Sequence, residues 1–330
     1  MPAREQVDIG ALTDLCTPWC VHVVATLQIA DHIAAGITRI EDLAAKAGAD
    51  CESLQSVLRH LVGKGVFDEP SPGEFRLNES ARALVGPSAR WLRLDGFGGR
   101  MAHAWGTLLT AVRTGRPAYH EAFGRPYWED LAAHPEIAAD FDEMMGPAGH
   151  GTPDPEVLVN GDWENVRTVA DVGGGTGALL AEVLRAHPHV RGVLVDLPRT
   201  IARSGEIFQN AGVADRVTTV GQSFFDPLPA GADVYMLKSV LSDWPDREAQ
   251  LLLQRCAEAV RPLGRVVVLN GVSPDEDGAP HPDLLMLVLV GGKQRSMTDF
   301  RKLAGNAGLE VSAAARLTSG RYVVECRPKN

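Results

Sequence analysis

The chain has 330 residues, of which 45% are hydrophobic and 22% are charged, and its formal net charge is −10 at pH 7. This composition is typical of a folded globular protein and excludes a largely disordered chain, and the length favours two domains over one. The negative net charge argues against a protein that follows nucleic-acid phosphates, because such binding depends on Lys and Arg side chains.

The cysteines and the N-terminus indicate a reducing compartment. The five cysteines are scattered and odd in number, with no Cys-x-x-Cys pair and no matching histidine spacing, so neither a disulfide framework nor a metal site is predicted. They are Cys16, Cys20, Cys51, Cys256 and Cys326. The stretch MPAREQVDIGALTDLC lacks the pattern of a signal peptide, and no stretch is expected to approach the length of a transmembrane helix. The chain is therefore predicted to be cytoplasmic and to have no membrane partner.

The first 100 residues predict a mostly helical domain with a winged-helix outline. Apolar residues recur at spacings of three and four in TPWCVHVVATLQIADHIAAG, and the next stretch predicts helix, turn, helix and a hairpin with the tip PSPG. Winged helices often bind DNA, so a DNA-binding regulator is a rival hypothesis. Residues 1–100 carry 10 Lys and Arg against 13 Asp and Glu, however, and the candidate recognition helix has only Arg59 and Lys64 as cations. These charges favour a packing or dimerisation module without a nucleic-acid partner.

Residues 101–160 predict connecting helices that are rich in large side chains. Large side chains on such helices can line the pocket of an aromatic ligand, and Trp105, Phe141 and Met145 are candidates for that role. Core or dimer packing is the alternative for any one of them. The stretch GHGTPDPEVLVNGDW has the glycine and proline content of a domain boundary near residues 150–162.

After this boundary, short apolar segments alternate with helical ones. The predicted strands are 167–173, 191–197, 215–221, 232–240 and 264–272. Short apolar strands that alternate with helices predict an α/β fold, in which a parallel sheet is covered on both faces. The C-terminal stretch GLEVSAAARLTSGRYVVECRP instead predicts two strands joined by a short turn, and thus an antiparallel ending to the sheet.

Four glycines follow the first of these strands in ADVGGGTGALL, at positions 173, 174, 175 and 177. Glycines at that point let a ligand approach the backbone at the carboxyl edge of the sheet. Asp196 ends the second strand and is placed to accept hydrogen bonds from ribose hydroxyls, as in enzymes that use nicotinamide cofactors or S-adenosylmethionine (SAM). The acidic Asp171, the antiparallel ending and the tryptophan after the fourth strand favour SAM, which carries a sulfonium cation and no pyrophosphate.

The chain resembles the SAM-dependent O-methyltransferases that modify plant phenolics and bacterial polyketides or antibiotics. The resemblance covers nearly the whole length through DVGGGTG, LVDLP, GQSFFDPLP, MLKSVLSDWPD and RSMTDFRKLAGNAGL, in this order. It implies a Rossmann-like class I methyltransferase sheet, parallel with an antiparallel last strand, and an N-terminal winged-helix domain. The implied domains are residues 1–100 for dimerisation, 101–160 for the substrate pocket and 161–330 for SAM binding. A homodimer and an aromatic small-molecule substrate are implied as well.

The resemblance also assigns residues of this sequence to the cofactor. The glycine loop would bound the methionine end, Asp196 would hold the ribose, and the GQSFF segment and Trp244 would meet the adenine. The full set is Asp171, Gly173, Gly175, Gly177, Asp196, Leu197, Ser223, Phe224, Lys238 and Trp244. Many relatives carry an aspartate beside the phenylalanine of GQSFF, so the adenine contact at Ser223 is expected to be weaker here.

One position departs from the family pattern. Most relatives have a histidine before the Asp-Trp pair, which takes the proton from the substrate hydroxyl, and this chain has Ser242 there. A phenol with a pKa of about 10 is a poor nucleophile until it is deprotonated. A serine hydroxyl cannot serve as its general base near neutral pH. Ser242 either hydrogen-bonds the substrate or simply precedes a helix start.

Three explanations stay open for this departure. The acceptor need not require a strong base, in which case orientation would supply most of the acceleration. Another side chain, Asp243, His281 or Asp283, takes the proton instead. Alternatively, methyl transfer has been lost, as in family members that hydroxylate, decarboxylate or rearrange natural products. The sequence therefore predicts methylation of an aromatic small molecule, with oxygen favoured over nitrogen or carbon, and a non-methylating tailoring reaction as the alternative.

Overall fold

A computed structural model describes residues 8–145, 154–260, 262–277 and 283–329 of the chain. The chain divides into two compact units, Met1–His103 and Ala104–Asn330. One cluster of buried hydrophobic residues forms the core of the smaller unit, and two clusters form the core of the larger unit. The helices that were predicted to line the substrate pocket, over residues 101–160, fall in the larger unit from residue 104 onward.

The smaller unit is helical apart from one hairpin. Its elements are α1 (Ile9–Leu12), α2 (Cys16–Thr26), α3 (Ile29–Ala34), α4 (Ile40–Ala47), α5 (Cys51–Gly63), β1 (Phe67–Ser71), β2 (Glu74–Leu77), α6 (Glu79–Arg82), a 3-10 helix (Pro87–Leu92) and α7 (Phe97–Ala104), which ends at the boundary. The order of α4, α5 and the β1–β2 hairpin is that of the predicted winged-helix outline. The prediction of a mostly helical N-terminal domain is confirmed.

Local sequence explains why α5 forms and which of its faces is buried. Asp50 caps its N-terminus by accepting a hydrogen bond from Ser53 N at 2.9 Å. Leu54, Leu58 and Leu61 recur at helical spacing and are buried in the core of the smaller unit. The polar residues between them face away from this core, so the helix is positioned by its apolar side.

Residues 9–26 correct one sequence-based expectation. By length and composition this stretch is apolar enough to cross a membrane, with a mean hydropathy of 1.2 over 18 residues. The expectation that no stretch approaches such a length was therefore wrong. The helix is interrupted, however, because α1 ends at Leu12 and α2 begins at Cys16. Asp14 lies in the break and pairs with Lys64 Nζ at 2.8 Å. Only 17% of the stretch is buried, so much of its apolar surface is available to a partner.

The smaller unit also brings together three side chains of the kind that ligate metals. One ligand atom from each of Cys16, Cys20 and His60 lies within 4.8 Å of the others. The four-residue helical spacing places the two sulfur atoms 3.8 Å apart. His60 comes from α5, and its Nε2 lies 2.8 Å from Thr17 Oγ1. This cluster is not visible in the sequence spacing, because the histidine belongs to a different helix from the cysteines.

The larger unit begins with short helices that precede the sheet. A 3-10 helix (Trp105–Thr107) is followed by α8 (Leu108–Thr114), α9 (Tyr119–Phe123), α10 (Tyr127–Ala133) and α11 (Pro135–Met145). Tyr119 Oη donates to Asp130 Oδ2 at 2.7 Å in a buried contact between α9 and α10. This bond helps to position α10, whose Trp128 reaches the site described below.

A seven-stranded sheet forms the body of the larger unit, in the order β10-β11-β7-β6-β3-β4-β5. The strands are β3 (Thr168–Val172), β4 (Arg191–Asp196), β5 (Val217–Gly221), β6 (Val234–Lys238), β7 (Arg265–Leu269), β10 (Leu309–Arg316) and β11 (Tyr322–Pro328). β3 to β7 pair in parallel, and β11 pairs antiparallel with both β7 and β10. The predicted methyltransferase-type sheet, parallel with an antiparallel last strand, is confirmed.

Helices and short segments connect these strands. The helices are α12 (Ala178–Ala186), α13 (Pro198–Ile201), α14 (Ser204–Asn210), α15 (Asp246–Ala259), α16 (Leu284–Leu289) and α17 (Met297–Asn306), and a small parallel pair is formed by β8 (Val272–Ser273) and β9 (Arg295–Ser296). All residues of β7 are buried, as expected for a strand covered on both faces.

The order of the strands places a crevice at one edge of the sheet. From β3 the chain continues outward to β4 and β5, and it then returns to the other side of β3 with β6. Open α/β sheets bind ligands outside the carboxyl ends of the strands at such a reversal. Asp196 and Lys238 are the last residues of β4 and β6, so both lie at this edge.

Candidate cofactor and substrate site

The larger unit contains a cavity of about 560 Å³ at the carboxyl edge of β3, β4 and β6. Every residue that the sequence analysis assigned to the cofactor, except Gly177, lines this cavity. The cavity therefore brings together assigned residues that are separated by up to 73 positions in the chain, from Asp171 to Trp244.

The glycine loop makes a sharp turn between β3 and α12. Gly173 and Gly175 have positive φ angles of 69° and 62°, a region that favours glycine. A Cβ at Gly175 would meet nothing within 4 Å, so the backbone here is open to a ligand. A Cβ at Gly177 would instead lie 2.4 Å from Phe208 Cζ. Gly177 therefore permits close packing of α12 against α14.

Asp196 is fixed at the end of β4 by two backbone amides. Gly175 N donates to its Oδ2 at 2.8 Å, and Leu197 N donates to its Oδ1 at 2.7 Å. Burial raises the pKa of this carboxyl, whereas the two amides and the charge of Arg199 act in the opposite direction. A carboxylate oxygen has more than one lone pair, so both oxygens can still accept hydrogen bonds from vicinal hydroxyls such as those of a ribose.

Asp171 presents a second carboxyl to the cavity. It is buried, and among the described residues neither of its oxygens has a hydrogen-bond partner. Burial, and then repulsion from Asp196, raise the pKa of Asp171 to about 7, while the charge of Lys238 opposes the rise. A buried carboxyl without a partner is destabilising, and the cationic groups of SAM would pair with it. The open glycine turn and the two acids therefore fit SAM.

Aromatic side chains form one wall of the cavity. Trp244 lies edge-on to Phe225, with ring centroids 4.8 Å apart, and edge-on to Phe224 at 5.9 Å. Trp128 stacks on Trp244 at 6.1 Å, and Phe141 contacts Trp128 at 5.8 Å. Flat apolar surfaces of this kind suit an adenine ring or an aromatic substrate.

Ser223 and Lys238 also line the cavity. Ser223 Oγ accepts a hydrogen bond from Phe225 N at 3.2 Å, so its own hydrogen is free to be donated to a ligand. The chain turns directly after Lys238, because Ser239 adopts a positive φ of 56°. Asn270 Nδ2 donates to Ser239 Oγ at 2.8 Å. Non-glycine residues in this region cost about 1 kcal/mol or more, so the backbone is strained at the cavity edge.

The predicted catalytic residues Ser242 and Asp243 lie in a 3-10 turn, Leu241–Asp243, after β6. Ser242 is buried and does not line the cavity, whereas Asp243 lines it. Burial, and then the charge of Asp283, raise the pKa of Asp243 to about 7.

Asp283 is exposed and caps α16 by accepting a hydrogen bond from Met286 N at 3.1 Å. His281 lies outside the described residues. Of the predicted catalytic residues within the described ranges, Asp243 is the one at the cavity.

Comparison with known proteins assigns the chain to a family. Residues 105–310 match the O-methyltransferase domain, and residues 11–87 match the O-methyltransferase dimerisation domain. The chain belongs to the O-methyltransferase family. The predictions of a methyltransferase and of SAM as its cofactor are confirmed at this level.

Similar proteins indicate the chemistry of the family. This chain is 41% identical over 313 residues to the 2,7-dihydroxy-5-methyl-1-naphthoate 7-O-methyltransferase of Streptomyces carzinostaticus. The match covers 93% of this chain and 94% of that protein. The fold of this chain matches the crystal structure of an O-methyltransferase from neocarzinostatin biosynthesis in complex with SAM and 2-hydroxy-5-methyl naphthoic acid, with a TM-score of 0.89, 38% identity and coverage of 98% and 99% of the two chains. The aclacinomycin 10-hydroxylase of Streptomyces purpurascens is also similar, at 38% identity over 335 residues, covering 97% and 88%.

A buried arginine holds the loop that carries Asp243 in this methyltransferase. Arg295, in β9, donates to Leu241 O at 2.9 Å and to Trp244 O at 2.8 Å. It also pairs with Asp246 Oδ1 at 3.0 Å. The guanidinium thus bonds the chain on both sides of Asp243. Sequence reasoning did not single out Arg295, because its partners lie about fifty residues away.

A glycine is required where the neighbouring segment passes the same loop. A Cβ at Gly292 would lie 2.1 Å from Ser242 O and 2.6 Å from the carbonyl carbon of Asp243. Gly292→Ala is therefore expected to displace the loop, to cost about 1–3 kcal/mol of stability, and to lower kcat about 10-fold or more. Thermal unfolding and initial rates measure the two effects. Gly205→Ala is the matched control, since a Cβ there meets nothing within 4 Å. Equal behaviour of the two variants would contradict this account of the loop.

The predicted substrate residues fall in three different situations. Phe141 lines the cavity. Trp105 lies in the 3-10 helix before α8, is 43% exposed and does not line the cavity. The side chain of Met145 lies outside the described part of the structure. Phe141 is therefore the residue of this set that the geometry favours for substrate contact.

Sequence reasoning missed several side chains of the cavity lining. Arg199 follows the LVDLP motif, and its Nε and Nη1 are buried without a hydrogen-bond partner among the described residues. Trp128 Nε1 is likewise buried without a partner within those ranges. Arg321 comes from the turn before β11. The motif could have pointed to Arg199, whereas Trp128 and Arg321 reach the cavity only through tertiary folding.

Proposed function

We propose that the protein transfers a methyl group from SAM to a hydroxyl oxygen of an aromatic small molecule in natural-product biosynthesis. The observation that carries this proposal is that one cavity combines the glycine turn and Asp196, which suit SAM, with an aromatic wall and the Asp243 carboxyl. The similar proteins support an aromatic acceptor, because one is a dihydroxynaphthoate O-methyltransferase and another was solved with a hydroxynaphthoic acid.

Different groups of the chain would hold different parts of the cofactor. Asp196 accepts hydrogen bonds from ribose hydroxyls, the backbone at Gly173 and Gly175 lies against the methionine end, and Trp244 covers the adenine. Asp171 balances the cationic groups. When bound, SAM supplies a methyl group made electrophilic by the sulfonium to which it is attached. These residues would therefore hold SAM in the cavity that Asp243 also lines.

We propose Asp243 as the acceptor of the substrate proton. Asp243 lines the cavity, and its pKa of about 7 makes it a stronger base than an ordinary aspartate. Ser242 occupies the position of the usual histidine but is buried off the cavity. A hydroxyl that gives its proton to Asp243 becomes a phenolate, and the aromatic wall shields that anion from water.

Three related aromatic acids test the acceptor atom. All three share a carboxylate and ring carbons, to which a hydroxynaphthoate adds a hydroxyl oxygen and the matching aminonaphthoate adds a nitrogen. We expect S-adenosylhomocysteine to be released fastest with the hydroxyl compound, because methyl transfer to a hydroxyl gains most from a neighbouring base. Release is measured by mass spectrometry. Faster release with the amino compound would assign the acceptor to nitrogen. A changed substrate mass without release would favour a non-methylating reaction like that of the similar hydroxylase.

We also propose that the chain forms a homodimer through its smaller unit and acts in the cytoplasm. Residues 11–87 match the dimerisation domain, and large apolar side chains are exposed along α1 and α2 at Ile9, Leu12, Leu15 and Trp19. An apolar stripe of this kind is stabilised by burial against a partner. Light scattering in solution tests the dimer. The biosynthetic roles of the similar proteins support the cytoplasmic location, and the absence of nucleic-acid and membrane partners stays a prediction.

A further inference from the structure

Two helices of the smaller unit bring three side chains with metal-binding atoms together. Cys16 and Cys20 lie about one helical turn apart on α2, and His60 lies on α5. One ligand atom from each residue lies within 4.8 Å of the other two. The two helices pack against each other, and Cys20 shares a buried core with Leu58 and Leu61 of α5. This apolar packing therefore holds the three groups close to one another.

The distances within the cluster fit an ion with the tetrahedral geometry of Zn²⁺. A zinc–thiolate bond is about 2.3 Å long, so two sulfur atoms on one tetrahedral zinc ion lie about 3.8 Å apart. The Sγ atoms of Cys16 and Cys20 are 3.8 Å apart. With a zinc–imidazole bond of about 2 Å, the nitrogen would lie about 3.6 Å from each sulfur. The separations in the cluster do not exceed 4.8 Å, so a closing movement of about 1 Å completes this geometry.

Thr17 and Asp14 hold the imidazole of His60 beside the two thiols. Thr17 Oγ1 donates to Asp14 Oδ2 at 2.6 Å and lies 2.8 Å from His60 Nε2. These contacts anchor the ring to the helix that carries both cysteines. Asp14 also accepts from Lys64 Nζ at 2.8 Å. Because this carboxylate balances the ammonium, the lysine opposes a nearby cation less strongly.

We propose that Cys16, Cys20 and His60 bind one Zn²⁺ ion, which links α2 to α5. Two thiolates and an imidazole suit zinc, whereas magnesium and calcium take oxygen ligands. Cys16 is exposed, so a water molecule can reach the ion as its fourth ligand. The inference goes beyond the proposed methyl transfer and does not depend on it, because the cluster lies in the smaller unit and the cofactor cavity in the larger one.

A disulfide is the alternative use of the two thiols. A disulfide holds its sulfur atoms about 2.05 Å apart, and the Sγ atoms of Cys16 and Cys20 are separated by 3.8 Å. This separation is that of two thiolates on one ion, and a disulfide would make no use of His60. Burial, and then the hydrogen bond with Cys16, raise the pKa of Cys20 to about 11. Zinc has to displace this proton, so its affinity should rise with pH.

Metal binding by the full chain, kept reduced, tests the inference. Calorimetry with Zn²⁺ gives the stoichiometry and the dissociation constant, and the ultraviolet absorption of bound Co²⁺ shows whether thiolates ligate the metal. The test variants are Cys16→Ser and His60→Gln. The matched controls are Cys51→Ser and His32→Gln, because Cys51 and His32 lie in the same unit but outside the cluster.

We expect the wild type to bind one Zn²⁺ per chain and both test variants to bind it about 100-fold more weakly or worse. Both controls should stay within about twofold of the wild type. Zn²⁺ should also raise the temperature of thermal unfolding of the wild type and of the controls but not of the test variants, because an ion that binds only the folded chain stabilises it. Cys16→Ser changes one atom of an exposed side chain, so this variant decides the test even where His60→Gln fails to fold.

Three results would overturn the inference. The first is a reduced wild-type chain that binds no Zn²⁺, and the second is wild-type affinity in Cys16→Ser. The third is bound Co²⁺ without thiolate absorption, which would place the metal on other ligands. Each of these results would leave the proposed methyl transfer untouched, since that reaction is measured without added metal.

Discussion

Replacing Asp196 by alanine is expected to weaken SAM binding about 100-fold or more. The carboxylate would accept hydrogen bonds from the ribose, and bonds to a charged group contribute about 1.5–3 kcal/mol each. The substitution also removes the acceptor that Gly175 N reaches at 2.8 Å, so the glycine turn loses a support at the same time. Calorimetric titration with SAM measures the loss.

Two further variants separate these contributions. Asp196→Asn keeps an oxygen that can accept from Gly175 N but loses the charge, so its affinity for SAM should fall between those of the wild type and the alanine variant. Asp215→Ala replaces an exposed aspartate of the 3-10 helix Ala214–Arg216 and should bind SAM normally. Near-normal affinity of Asp196→Ala would remove Asp196 from the cofactor site.

Asp243→Asn is expected to lower kcat about 100-fold or more on a hydroxylated aromatic acceptor, with little change in SAM affinity. An amide cannot take the substrate proton, although it keeps nearly the same shape. Burial and the charge of Asp283 raise the pKa of Asp243 to about 7. The pKa of Tyr127, in α10, is raised first by burial, then by Tyr119 and then by the charge of Asp243. Initial rates across a pH series measure the loss of kcat and show whether the dependence of kcat on pH is lost with it.

The sign of the pH dependence follows from the role of Asp243 as a base. A base acts only when deprotonated, so the wild-type kcat should rise with pH through a midpoint at or below 7 and then level off, since a bound sulfonium favours the carboxylate. Asp243→Asn should lose this inflection. Asp283→Asn should keep it but move it to lower pH, because a negative charge that raises the pKa of Asp243 is gone. Asp215→Asn is the control. A variant Asp243→Asn with normal kcat and an unchanged pH profile would exclude Asp243 as the base.

Much of the fold and of the cofactor site was predictable because the signals are local. The apolar strands and the glycine loop are read from neighbouring residues, and the order of the strands brings Asp171, Asp196 and Lys238 to one edge. The strand ends depend on backbone geometry that the sequence pattern does not show. The segment 232–240 was predicted as a strand, but β6 covers Val234–Lys238, since Ser239 leaves the strand with a positive φ.

The rest of the site depends on contacts between distant segments. Ser242 and Asp243 are adjacent in sequence, yet only the three-dimensional turn decides that Asp243 faces the cavity and Ser242 the interior. Arg295 clamps this turn from about fifty residues away, and Arg321 enters the lining through the antiparallel strand β11. Arg295 begins the motif RSMTDFRKLAGNAGL and Arg321 lies outside the quoted motifs, but for neither does the local sequence show which distant segment it contacts.

The most direct test of the proposed methyl transfer follows the methyl group itself. The wild-type chain is incubated with SAM that carries a deuterated methyl group and with a hydroxynaphthoate, and the products are analysed by mass spectrometry and NMR. We expect a product that is heavier by one deuterated methyl group attached to oxygen, together with one equivalent of S-adenosylhomocysteine. A product of changed mass that contains no deuterium, formed while SAM stays intact, would contradict it.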